Sequence, residues 1–598
     1  MPAVAVAAAV LALFAFGYVY YSRYLATKVY ALDPAFVTPA HELADGVDFV
    51  PTNKHVLFGH HFTSIAGAAP IVGPAIAVFW GWLPALLWIT IGTLFAAGVH
   101  DFGALAVSVR HKAKNIGTLT AEVISARSRV LFLCIIFFLL TLVNAVFAVV
   151  IGNLFVLFPG AVIPVFVEIP LAIAIGQYIY RTRTPALVPS LIGVIGLYFL
   201  IWVGHHYPIE ITGFADWLGM EPRDVWVVIM FAYTFIASRL PVWLLLQPRD
   251  YINSHQLFIA LAVTFAGVLV GWDKLVAPAV RGDVPDDSPN IFPFLFITIA
   301  CGAISGFHSL VSSGTTSKQL DKETDARHVG YMGALGEGSL ALASVLAVSA
   351  GVAATQVEWE ETYATYADAS DGATGNFVNG IAQFASNLGI EFTLGTVFAA
   401  VVVVSFAATT MDTGVRLQRY IVQEIATILG WRRLSRSLTL AGLAAIALPV
   451  FLALMPGRSD AGFAFGTLWR LFGTTNQLTA GLAMAVVAVW VTKRMRNPIA
   501  ILIPMVFLLV MTTWALFVQL GEFWESPERW VLVPLDVIIL FLALWLIVEA
   551  AIALRRTVAE RRGATIGGSG DSGSAGVDTG SGASGEVSGS ETSGDGTA

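Results

Sequence analysis

The sequence predicts an all-α, polytopic integral membrane protein of about fifteen transmembrane helices, built around a five-plus-five inverted repeat with discontinuous helices. Three observations carry that prediction. Of 598 residues, 57% are hydrophobic and 12% charged, and the mean hydropathy is +0.76, far more apolar than a globular chain of this size. Apolar runs of about 18 to 25 residues recur along the chain, long enough to cross a hydrocarbon core as helices. Lys and Arg gather in alternate loops, as they do on the cytoplasmic side of membrane proteins. The runs are apolar all round rather than alternating, which argues against a transmembrane barrel.

In chain order the spans fall at 3–22, 57–80, 84–108, 129–152, 161–180, 187–204, 225–246, 256–272, 291–314, 331–355, 392–415, 438–455, 474–492, 498–519 and 531–554. The first run lacks a basic start and a small-residue cleavage site, so it reads as a retained helix rather than a signal peptide. Loops carrying Arg23 and Lys28, Arg110 to Arg129, Arg181 and Arg183, Arg249, Lys318 and Arg327, Arg416 to Arg436, Lys493 to Arg496 and Arg555 to Arg562 are placed inside. The loops between them are poor in Lys and Arg and often acidic, with Asp283, Asp286 and Asp287 in one and Glu358, Glu360 and Glu361 in another. The N-terminus is therefore expected outside and the C-terminus in the cytoplasm.

Residues 376–388 put Phe377, Ile381, Phe384 and Leu388 on one helical face, which suits a short helix lying along the outer interface or capping a vestibule. Residues 563–598 are Gly, Ser, Thr and acidic residues, a composition expected to form a disordered cytoplasmic tail. Cys134 and Cys301 lie in separate apolar runs, so their spacing indicates neither a disulfide nor a cysteine-based metal site.

Phe62-Thr63-Ser64-Ile65-Ala66-Gly67 is echoed by Phe307-His308-Ser309-Leu310-Val311-Ser312, and the charge bias makes the two spans cross in opposite senses. Both are interrupted, the first by Gly67, Pro70, Gly73 and Pro74, the second by Ser305-Gly306 and the polar run to Thr316. Helix breakers free backbone groups, tolerable at membrane depth only where they line a cavity or bind something. Paired interrupted helices in matching places of two halves point to the binding site of a secondary transporter. The organisation read from this is an extra helix at 1–22, a first repeat at 57–204, an inserted pair at 225–272, a second repeat at 291–492 and a final pair at 498–554.

Five motifs in order, GHHFTSIAGAAPIVGP, HDFGALAVSVRH, SGFHSLVSSGTTSKQL, TTMDTGVRLQRY and LFGTTNQL, resemble the carbon starvation protein A family over most of residues 1–550. The resemblance implies a cytoplasmic-membrane transporter of peptides or of pyruvate with protons during nutrient limitation. It also implies kinship with the amino acid, polyamine and organocation transporters. The acidic tail departs from the family pattern.

Backbone groups at Ser64, Ala66 and Gly67, with Ser305, His308, Ser309, Ser312 and Ser313, are the candidate substrate site; otherwise those serines bond nearby carbonyls. His60 and His61 are candidate proton carriers or packing residues, and their directions differ by about 100°, so they cannot share one ligand. Asp101 is an intramembrane acid that either accepts a proton or pairs with His100, and Glu337 is read the same way. By resemblance to sodium-coupled relatives of this fold, Thr409 and Thr410 would supply hydroxyls to a cation site; Asp412 either joins them or pairs with Arg416 along the helix. Asn144 and Asn476 read as interhelical glue. No metal or cofactor is expected beyond a coupling proton or sodium ion, and no partner beyond bilayer and substrate, nucleic acid included. No phosphate-binding loop is present, which excludes an ATP-driven pump in one chain. A channel, or a membrane-embedded enzyme using Asp101, His308 or a serine, are the rival functions; no hydrolase triad or zinc-protease spacing supports the latter.

Overall fold

The computed structural model describes residues 1–46, 48–241, 243–286, 288–455 and 465–567. Among them the chain is helical, with two isolated bridges, Pro2 to Lys274 and Thr52 to Leu320, as its only strand-like pairings. Among the described residues, eleven helices are long and apolar enough to span a membrane: Ala3–Val29, Trp82–Arg110, Ala126–Leu157, Pro159–Thr182, Leu187–His206, Leu246–Gly271, Glu323–Gly351, Phe392–Ile428, Phe465–Lys493, Ile499–Glu525 and Arg529–Arg561. Two shorter ones, Pro222–Ala237 and Leu438–Leu454, and two broken ones complete the set expected from the sequence. This is a multi-pass membrane protein.

The first broken helix is the pair Lys54–Ile65 and Ala69–Trp80, bent by 51°. Ala66 leaves the helical region (φ −81°, ψ 60°), and Pro70 in the first turn of the second half brings no N–H to resume the ladder. The Gly67 N–H reaches back only to the Ile65 carbonyl, so the Thr63 and Ser64 carbonyls face the gap without the donors a continuing helix would bring. The second broken helix is Ile291–Thr298 and Gly306–Gly314. Its link includes Gly302 at φ +90°, a conformation that favours glycine, and a Cβ there would fall 2.6 Å from that of Ala341.

Elements that the sequence reading sets in corresponding places pack on each other. His61 of Lys54–Ile65 meets Thr316 beyond Gly306–Gly314, Gly98 of Trp82–Arg110 lies under the Tyr331 ring, and Asn144 of Ala126–Leu157 bonds Gln418 of Phe392–Ile428 at 2.7 Å. The Gln418 amide also donates to Thr141 at 2.7 Å, so these two long helices are joined by a buried polar ladder. Asn144→Ala should cost about 1 kcal/mol, the size of an interhelical hydrogen bond in a membrane protein, read as a shifted midpoint of denaturant unfolding in detergent.

Several helix ends differ from expectation. Ala3–Val29 carries Arg23 and Lys28 on its last turns, and Phe392–Ile428 carries Arg416 and Arg419, residues read as loop. Leu246–Gly271 begins ten residues before the expected 256, because polar residues in its first turns lowered the local hydropathy. Arg249 is therefore fully buried rather than in a cytoplasmic loop. The helix Ala373–Ser386 buries Phe377, Ile381 and Phe384, packing against Leu246–Gly271 and residues 347–351, whereas Leu388 is exposed. The last helix is described through Gly567; Asp287 and residues 568–598 of the acidic tail lie outside the described residues.

Candidate functional site

Helices Lys54–Ile65, Ala126–Leu157, Leu246–Gly271, Gly306–Gly314 and Phe392–Ile428 enclose a cavity of about 430 Å³. It is lined by His60, Ser64, Leu310, Thr315, Thr413 and Arg416, among others, and opens on the side that carries Lys114, Lys318 and Glu424. It meets the first broken helix at His60 and Ser64.

There His60 Nδ1 lies 3.1 Å from Asp250 Oδ2, with the His60 side chain 14% exposed and that of Asp250 fully buried. Ser64 donates to the His60 carbonyl at 2.8 Å and approaches the same Asp250 oxygen at 3.4 Å, while Asp250 Oδ1 has no partner. Beyond this dyad is the gap in the helix. A Cβ on Gly67 would fall 2.7 Å from Thr410 Oγ1 and 2.8 Å from the Phe147 ring, so only glycine lets Phe392–Ile428 approach the break. Thr410 Oγ1 is buried without a partner, and Thr409 Oγ1 accepts from Asn253 at 3.1 Å.

A second network crosses the same level. Arg249 Nη1 donates to Asp412 Oδ2 and to Tyr233 Oη, both at 2.8 Å, and its Nε faces Glu168 at 3.7 Å. Tyr233 donates to Asp412 at 2.7 Å and Ser405 to Glu168 at 3.1 Å. Asp412 is thus tied to Arg249, not to Arg416, whose Nη2 donates to the Ala237 and Leu240 carbonyls.

His61 points away from His60: its Nδ1 lies 2.9 Å from Thr316 Oγ1. On that side a third network is closed from solvent. Asp101 Oδ1 lies 2.7 Å from His100 Nδ1 and Oδ2 lies 2.8 Å from His308 Nδ1, and His308 Nε2 faces Glu337 Oε1 at 3.3 Å. The N-terminus of Gly306–Gly314 is capped from outside: Asn476 Oδ1 accepts from the Phe307 N–H at 3.0 Å and from Ser305 Oγ at 3.2 Å. Ser309 donates to the Gly306 carbonyl and Ser313 to that of Ser309, while Ser312 Oγ is buried and unpartnered.

The structure therefore divides the sequence candidates among separate places. His60, Ser64, Ala66, Gly67, Thr409 and Thr410 surround the break; Asp101 and His308 lie together in the closed network; Ser305, Ser309 and Ser313 are engaged with Asn476 or with carbonyls of their own helix. Sequence reasoning missed Glu168, Tyr233, Arg249, Asp250 and Asn253. Glu168 carried the same signal as Asp101, an acid within an apolar run, whereas Arg249 and Asp250 were hidden by a span boundary drawn beyond them.

Broken helices around a one-sided cavity, within a bundle of this size, define the class of a multi-pass membrane transporter. The chain belongs to the carbon starvation protein CstA family, whose profile matches residues 2–359 and 349–515. It is 34% identical over 564 residues to "Peptide transporter CstA" of Mycobacterium tuberculosis, covering 85% of this chain and 73% of that one. It is 33% identical over 571 residues to the peptide transporter CstA of Escherichia coli, covering 86% and 80%. The pyruvate/proton symporter BtsT of Escherichia coli is 32% identical over 589 residues, again covering 86% and 80%. Among solved structures, a manganese transporter of Eremococcus coleocola aligns over 86% of this chain and 99% of its own at 12% identity and a TM-score of 0.43.

Proposed function

We propose that the chain is a secondary active transporter that imports a small carboxylate or a short peptide across the cell membrane under nutrient limitation. It works by alternating access, with the N-terminus outside, the C-terminus in the cytoplasm and proton entry as the driving force. The observation that carries this reading is the His60–Asp250 dyad, whose imidazole lines the cavity from the broken helix. An imidazole that touches both the cavity and a buried carboxylate can pass a proton to one side as the helix rearranges. The symport activity in the name of the relative BtsT supports the proton, and the names of the other relatives support the peptide.

In this reading backbone groups at Ala66 and Gly67, with the Ser64 and Ser312 hydroxyls, take the polar end of the substrate. Asp101, held between two imidazoles, positions His308. The Gly67–Thr410 contact favours a second reading for the coupling ion, in which sodium sits among carbonyls at the break and the hydroxyls of Thr409 and Thr410, with Asp412 neutralised by Arg249.

Uptake of labelled pyruvate, amino acids and di- or tripeptides into proteoliposomes, with proton and sodium gradients imposed separately, tests both. The expected result is saturable accumulation of one of these substrate classes driven by the proton gradient. Equal uptake with and without either gradient would remove the symport reading, and non-saturating flux would indicate a channel. Asp250→Asn should abolish proton-driven accumulation while sparing exchange of labelled for unlabelled substrate; undiminished accumulation would take Asp250 out of the coupling path.

A further inference from the structure

We propose that Cys301, His308 and Glu337 form a binding site for a divalent transition-metal ion of the zinc class. Cys301 stands in the unwound link of the second broken helix, His308 in the first turn of Gly306–Gly314, and Glu337 on Glu323–Gly351. All three are buried, and one ligand atom from each lies within 4.8 Å of the others. The 3.3 Å between His308 Nε2 and Glu337 Oε1 matches the edge of a tetrahedron with metal bonds of about 2.0–2.1 Å.

Two further features distinguish this cluster from a hydrogen-bonded packing contact. His308 Nε2 is fully buried, faces Glu337 Oε1 at 3.3 Å and has no hydrogen-bond partner, so in the neutral ring it is free to act as a ligand. Its Nδ1 is fixed by Asp101, and Asp101 in turn by His100, the carboxylate–imidazole arrangement that orients metal-bound histidines. Asn476 Nδ2 lies 3.3 Å from Cys301 Sγ, a donor suited to a thiolate. A divalent ion would balance the buried Glu337 carboxylate together with the thiolate that forms as it binds. Sulfur and imidazole ligands favour zinc, cobalt or copper over sodium, magnesium or calcium. Comparing the two cysteines with each other hid the cluster, because the partners of Cys301 are a histidine and a glutamate. Binding releases the Cys301 thiol proton and ties the unwound link to Glu323–Gly351.

The test uses purified full-length protein in lipid nanodiscs, stripped with a chelator and titrated with Zn²⁺ or Co²⁺ alone. A single equivalent should bind, with Co²⁺ giving the near-ultraviolet absorption of a thiolate ligand. Cys301→Ser and Glu337→Gln should each weaken binding by at least about 100-fold, and Asp101→Asn by about 10- to 100-fold. Should a variant fail to fold, the cobalt–thiolate band of the unmodified protein decides alone. Folded wild-type protein with no stoichiometric binding or no thiolate band, or affinity unchanged in folded Cys301→Ser, overturns the proposal. No uptake is measured, so the result stands apart from the transport reading.

Discussion

Replacing Arg249 with leucine should destabilise the protein by about 3–5 kcal/mol, a large part of the total stability of a typical fold. The guanidinium is fully buried, 2.8 Å from Asp412 and 3.7 Å from Glu168, which are themselves buried. Without it, two carboxylates remain at membrane depth without their buried cation, with Tyr233 and Ser405 still donating to them. The expected observation is a sharp fall in the thermal midpoint and in the monodisperse fraction after extraction. Combining Arg249→Leu with Asp412→Leu and Glu168→Leu should recover most of that loss, because an apolar substitute for a buried ion cluster is often neutral or stabilising. A loss below about 1 kcal/mol in the single variant would mean that water reaches the cluster.

Gly67→Ala should reduce uptake about 100-fold, the penalty associated with misplacing a binding group by about 1 Å. The added carbon would lie 2.7 Å from Thr410 Oγ1 and 2.8 Å from Phe147, and neither is the end of a long flexible chain that could swing aside. The break must then move away from Phe392–Ile428, widening the gap where freed carbonyls and threonine hydroxyls meet. The stability cost should be only the about 1–3 kcal/mol of overpacking, so the variant should remain extractable. Adding Thr410→Ala and Phe147→Leu restores room and should recover part of the loss. Undiminished uptake by Gly67→Ala would place the site away from the break.

Much of this architecture was legible in the sequence because membrane helices announce themselves by length and by loop charge. The interrupted spans were legible too, since Pro70 and the Gly-rich run around Gly306 are incompatible with an unbroken apolar helix. The same hydropathy rule failed at Leu246–Gly271, whose opening residues Arg249, Asp250 and Asn253 look like loop until their partners on Phe392–Ile428, Pro159–Thr182 and Lys54–Ile65 are known. Long-range pairing is what turns such polar residues into membrane interior. The divergent directions of His60 and His61 followed from helical geometry alone; that one would find Asp250 and the other Thr316 did not, for neither partner is near in sequence.

The external cap on Gly306–Gly314 has a consequence in time rather than in space. A nine-residue helix is too short to persist unaided, and the amide it most needs satisfied, that of Phe307, is served by a side chain 169 positions downstream. During synthesis, residues 299–314 therefore emerge long before their support exists. They can settle only when Phe465–Lys493 has entered the bilayer, which makes assembly of this half wait on one of the last helices made.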